Sequence, residues 1–150
     1  MFKHSLVITK IIVPPNKLHI YEDYVKQKIY KLSGKNFSNE IGYINKIIDI
    51  IKIEVLDIVK EDFSGNLIYE VTFLVENCNP DIDEEIECHI IQTGDILFGL
   101  NGPLKIIIIS NDEIPELEIK DKVLINIKLK EISYLENNIK IVGEFIKKLN

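Results

Sequence analysis

Five short β-signals follow one another between residues 81 and 150, at 86–92, 96–100, 104–109, 123–130 and 139–145. Each is rich in isoleucine, valine or leucine. The first three are separated by Thr93-Gly94-Asp95 and Asn101-Gly102-Pro103, residues that favour tight turns. A longer polar link, "NDEIPELEIKD" at 111–121, follows the third signal and has room for one helical turn. Five strands in about 65 residues, with the longest link after the third, match a small Greek-key barrel of the OB type.

The first 80 residues read differently. "LVITKIIV" at 6–13 is β-branched and stops at Pro14-Pro15. Ile20, Tyr24, Val25, Ile29 and Leu32 then fall at helical spacing, and Gly34 supplies a stop, which predicts a helix over about 19–32. "KNFSNE" at 35–40 reads as a turn. The β-branched stretch from Ile41 predicts one long bent strand or two strands. Ser64-Gly65-Asn66 is a hairpin signal, and 67–76 alternates as a half-buried strand. Asn79-Pro80 and the acidic run after it mark the boundary. The expected organisation is therefore an α+β domain at 1–80 and a barrel domain at 81–150.

Charge bears on function. The 150 residues have net charge −6 and contain no arginine, alanine or tryptophan, while isoleucine makes up about a fifth. Residues 1–80 balance ten lysines against ten acids; residues 81–150 have eight lysines against fourteen acids. A free-standing protein that grips phosphate backbones is expected to be basic, and lysine alone lacks the bidentate fork of arginine. The broken apolar pattern of the N-terminus reads as a mature strand, and Cys78 and Cys88 form no metal or redox motif, so an intracellular location is expected.

No catalytic constellation is present: there is no nucleophile elbow, phosphate-binding glycine loop or zinc spacing, and no cofactor is expected. The acids Asp81, Asp83, Glu84, Glu85 and Glu87 lack calcium-loop spacing and read as a solvated linker. Barrels of this type hold single strands by stacking bases on aromatics and tracking the backbone with cations. The candidates here are Phe98 with Lys105, Lys128, Lys130 and Lys140. Alternation along 123–130 predicts Val123, Ile125, Ile127 and Leu129 on one face and Asn126, Lys128 and Lys130 on the other. Such a strip implies weak, salt-sensitive contact without sequence readout.

Taken in order, several of these stretches resemble the stalk subunit of archaeal and eukaryotic multisubunit RNA polymerases, the family that includes the seventh subunit of RNA polymerase II and its archaeal counterpart. The shared marks are the strand ending at Pro14-Pro15 with its following helix, Gly42-Tyr43-Ile44, Gly65, the junction Asn79-Pro80-Asp81, and Phe98, Gly102-Pro103 and Ile106 to Ser110. The resemblance implies a truncated ribonucleoprotein-like tip domain joined to an OB barrel. It further implies docking on polymerase core subunits through a tip that includes Lys35, Asn39, Gly42, Tyr43 and Gly65, pairing with a second stalk subunit, and contact with nascent RNA. The chain departs from that pattern at Glu84, where the family has a glycine, in the shortened hairpin at Gly94, and in "KIIIIS", where related barrels carry aromatics. The composition points toward a large DNA virus with an AT-rich genome. A nuclear location is implied for a cellular version, and cytoplasm or virion for a viral one. The competing reading is a free-standing single-stranded RNA-binding module.

Overall fold

The computed structural model describes residues 1–58 and 65–149 and is mostly β, with one short helix. The first sheet contains β1 (Phe2–Val13), β2 (Lys35–Ser38), β3 (Gly42–Ile58) and β4 (Leu67–Cys78) in the order β1-β4-β3-β2, all antiparallel. β1 and β4 pair without a break from Phe2 opposite Cys78 to Val13 opposite Leu67. Proline cannot donate to the ladder, so Pro14-Pro15 end β1, and a 3-10 turn at Pro15–Ile20 leads into the helix α1, Tyr21–Tyr30. The four-residue spacing of Val25 and Ile29 puts both on the sheet, against Val71, Phe73 and Val75. Tyr21 stacks on Tyr69 with ring centroids 4.9 Å apart. Tyr30 stays exposed.

The stretch from Gly42 forms one strand of 17 residues, kept extended by its β-branched side chains but irregular in register with β4 at four places. Each bulge adds an unpaired residue and increases the local twist. Ile48, Ile51 and Leu56 occupy such positions and are exposed.

The barrel is closed and has five strands: β5 (Glu85–Gln92), β6 (Leu97–Asn101), β7 (Leu104–Ile109), β8 (Lys122–Ile132) and β9 (Ile139–Leu149). Their order is β5-β6-β7-β9-β8, with β8 returning to β5; β7 and β9 run parallel and every other pair is antiparallel. This arrangement is consistent with an OB-type barrel. Its interior is mostly isoleucine, with Ile90, Ile106, Ile125, Ile127, Ile139 and Ile141 each at most 1% exposed. Burial of each such side chain contributes about 1.5–3 kcal/mol.

Several expectations need correction. Lys35–Ser38 is a short strand, because its backbone pairs with β3 at Gly42 to Ile44 although its side chains are polar. The link at 111–121 contains no helix; it closes with a turn in which Asp121 accepts from the backbone N–H of Glu118 at 2.8 Å. Leu129 does not share the buried face of Val123, Ile125 and Ile127 and is 64% exposed. A register shift between Ile127 and Leu129 leaves Lys128 unpaired in the β8–β9 backbone register, so the alternation slips by one residue. Of the expected hairpin residues, Ser64 lies outside the described ones, while Gly65 has φ +75°.

Candidate functional site

Two buried asparagines, Asn36 and Asn79, bridge sheet and barrel, and a third, Asn77, lies beside them within the first sheet. Asn36, Asn77 and Asn79 are the three buried polar residues among those described. The Asn36 Nδ2 donates to the carbonyls of Ser133 and Asn138, both at 2.8 Å, tying β2 to the β8–β9 loop. Asn77 donates to the Ile41 carbonyl at 2.6 Å and accepts from the Ser5 hydroxyl at 2.9 Å. Asn79 donates to the carbonyls of Asn39 and Glu40, and its Oδ1 accepts from Lys130 Nζ at 2.8 Å. Burying these amides is tolerable because nearly all their polar atoms are paired. Asn79 falls at the boundary expected from the sequence, but nothing in the sequence pattern singles out Asn36 or Asn77.

The same junction takes up two of the residues expected at the docking tip. Gly42 is buried with φ +79°, and a side chain there would press on the Cys78 carbonyl. Tyr43 packs against the barrel core. Lys35 and Asn39 are exposed nearby, with the Asn39 carbonyl engaged by Asn79. Gly65 sits at the other end of β3, beside Pro15, roughly 40 Å away along the β3–β4 ladder. These five residues therefore do not form one tip.

On the barrel, Phe98, Lys105, Lys130 and Lys140 do come together. They line a groove of about 660 Å³ whose walls include Ile91, Ile107, Leu129 and Val142. Lys128 lies apart from it, 3.7 Å from Asp83 and 3.5 Å from Glu144. Most of the cationic strip is already engaged, although only Lys128 and Lys140 are paired with acids. Lys130 is held by Asn79 and the Pro80 carbonyl, and Lys140 pairs with Glu136 at 3.0 Å, which also raises its pKa. Among the described residues only Lys105 of the four lacks an acidic or hydrogen-bonding partner. The groove thus offers one ring, one uncommitted cation and apolar walls.

An exposed apolar strip lies on the first sheet. Helix α1 covers one face; on the other, Leu6, Ile8 and Ile12 of β1 are 61%, 64% and 53% exposed. Half-covered antiparallel sheets ordinarily present polar residues to water, so this strip departs from the usual pattern. Both thiols are buried and unpaired, and desolvation pushes Cys78 and Cys88 up to about 11. No cluster of metal-ligating side chains occurs among the described residues, and no helix there is long and apolar enough to cross a membrane. No family model matches the chain, and no curated protein matches it either.

Proposed function

We propose that this chain is a non-catalytic stalk-type subunit of a multisubunit DNA-directed RNA polymerase, docked on core subunits through its N-terminal domain and touching nascent RNA weakly through its barrel. The observation that carries this reading is the contrast between the two halves. The sheet leaves an apolar strip of β1 open to a protein partner, whereas three of four candidate RNA-contacting lysines are already engaged. The ordered motifs from Pro14-Pro15 to Ser110 add support. So does the strand–helix–strand order with one covered face, as expected of a truncated ribonucleoprotein-like domain joined to an OB barrel. A second stalk subunit, where the system has one, would be a further partner.

The test is affinity purification of the tagged chain from its native source, with mass spectrometry of retained proteins. Near-equal recovery of the two largest polymerase subunits supports the proposal; their absence overturns it. The second reading, a free-standing RNA-binding module, draws on the groove that joins Phe98 to Lys105. It requires the isolated chain to bind single-stranded oligouridylate at micromolar or tighter affinity, with steep weakening in salt and loss on Lys105→Glu.

A further inference from the structure

β1 is an edge strand whose second side faces no other strand of its sheet. Edges are commonly protected by bulges, proline or inward charges. β1 has neither bulge nor proline over its paired length, since its register with β4 is unbroken and proline comes only after Val13; its only protecting charges are Lys3, His4 and Lys10. The other long edge, on β3, is bulged at four places and so makes a poorer template.

The residue order along β1 is nearly palindromic in polarity about Val7. In an antiparallel pairing of two β1 strands centred there, Val7 faces Val7, Leu6 faces Ile8, Phe2 faces Ile12 and Ser5 faces Thr9. Apolar residues thus meet apolar ones across the exposed face, and the two hydroxyls meet each other. On the other face Lys3 meets Ile11, a polar–apolar mismatch. His4 faces Lys10, the one unfavourable match between polar residues. Each already has an acid on its other side, however, since Lys10 lies opposite Glu70 and His4 opposite Glu76 on β4. A one-residue shift of register would set apolar side chains against the wrong face.

We propose that a second copy of this chain docks on the β1 edge, giving a two-fold dimer with one continuous eight-stranded sheet. The proposal goes beyond the polymerase reading: it concerns the chain by itself, and a second copy and a polymerase core would compete for β1. A paired strip about 36 Å long and about 10 Å deep buries roughly 1,000 Å² over both copies once side-chain relief is counted. That is near the lower bound for a specific interface, so the dimer is reversible and concentration-dependent.

The experiment is sedimentation velocity on the purified chain from about 1 to 200 μM, matching micromolar association, with amide hydrogen exchange followed at low and high concentration. The expected result is a monomer–dimer equilibrium in which the β1 amides, and no barrel amides, gain protection as concentration rises. Ile8→Lys alters an exposed side chain that appears twice in the interface and should weaken association at least about tenfold. Leu129→Lys, an equally exposed leucine on the barrel, should leave it unchanged. A monomer throughout the range overturns the proposal. So does a dimer insensitive to Ile8→Lys, or one whose added protection maps to the barrel, since either places the contact elsewhere.

Discussion

Gly42 and Gly34 form a matched pair for measuring how tightly the junction is packed. Their φ angles are +79° and +76°, so an alanine at either meets the same left-handed backbone penalty of about 1–2 kcal/mol. Reduced freedom of the unfolded chain offsets about 0.4–1 kcal/mol of that in both. Their surroundings differ. A methyl at Gly34 would have only the Tyr43 hydroxyl near it, at 3.9 Å. A methyl at Gly42 would press on the Cys78 carbonyl and lie 2.7 Å from Asn79 Cβ. Neither neighbour can swing aside: Cys78 is paired with Tyr43 across β3 and β4, and Asn79 is fixed by Asn39, Glu40 and Lys130. Overpacking against such a wall costs about 1–3 kcal/mol beyond the backbone term. Gly34→Ala should therefore cost about 1 kcal/mol or less, and Gly42→Ala about 2–4. Urea unfolding followed by circular dichroism measures both through the midpoint at constant m-value. Equal midpoints for the two variants would refute the reasoning, because the junction would then have room that the packing denies.

Asn36→Ala should lose about 1–3 kcal/mol in the same assay, since the Ser133 and Asn138 carbonyls lose their shared donor. Asn36→Asp should be worse at neutral pH, where a carboxylate would face those carbonyls, and should recover toward the alanine value as acid protonates it. The Cys78 and Cys88 thiols should resist alkylation at pH 8 in the folded protein and react fully in denaturant, as judged by intact mass; rapid native labelling of either would contradict their burial. Asp121 has its pKa lowered chiefly by the Glu118 backbone N–H and also by Lys148. Its contribution to stability is thus present above the unfolded value of about 3.9 and lost as pH falls through the lower folded value. Asp121→Asn should flatten the acid limb of a pH–stability profile.

The five barrel strands were legible because each is a β-branched run between turn residues, and α1 because Val25 and Ile29 sit four apart above a glycine stop. Closure was not legible in the same way. It depends on parallel pairing of Leu104–Ile109 with Ile139–Leu149, a contact between segments far apart in sequence. Leu129 was misplaced because alternation cannot register a bulge. Lys35–Ser38 was misread because a short polar strand looks like a turn until its partner is known. The lysine strip was visible as a pattern, but Asp83, Glu144 and Asn79, which engage Lys128 and Lys130, reach them only in three dimensions. The buried asparagines were harder still: asparagine ordinarily signals a loop, and Asn36 and Asn79 find their barrel partners only when the sheet meets the barrel.

The position of β9 between β7 and β8 has a consequence for biosynthesis. The first sheet has all its strands once Cys78 has been made, and it can assemble while the rest of the chain is still being translated. The barrel cannot close at that stage, because the strand that joins β7 to β8 is its last. At roughly 5–20 residues per second, the stretch from Ile109 to Leu149 takes on the order of seconds to appear. During that interval the isoleucines of β7 and β8 have no lid, next to a sheet that has already formed. The interval is when this isoleucine-rich chain is most exposed to aggregation, and when a chaperone on the nascent chain would matter most.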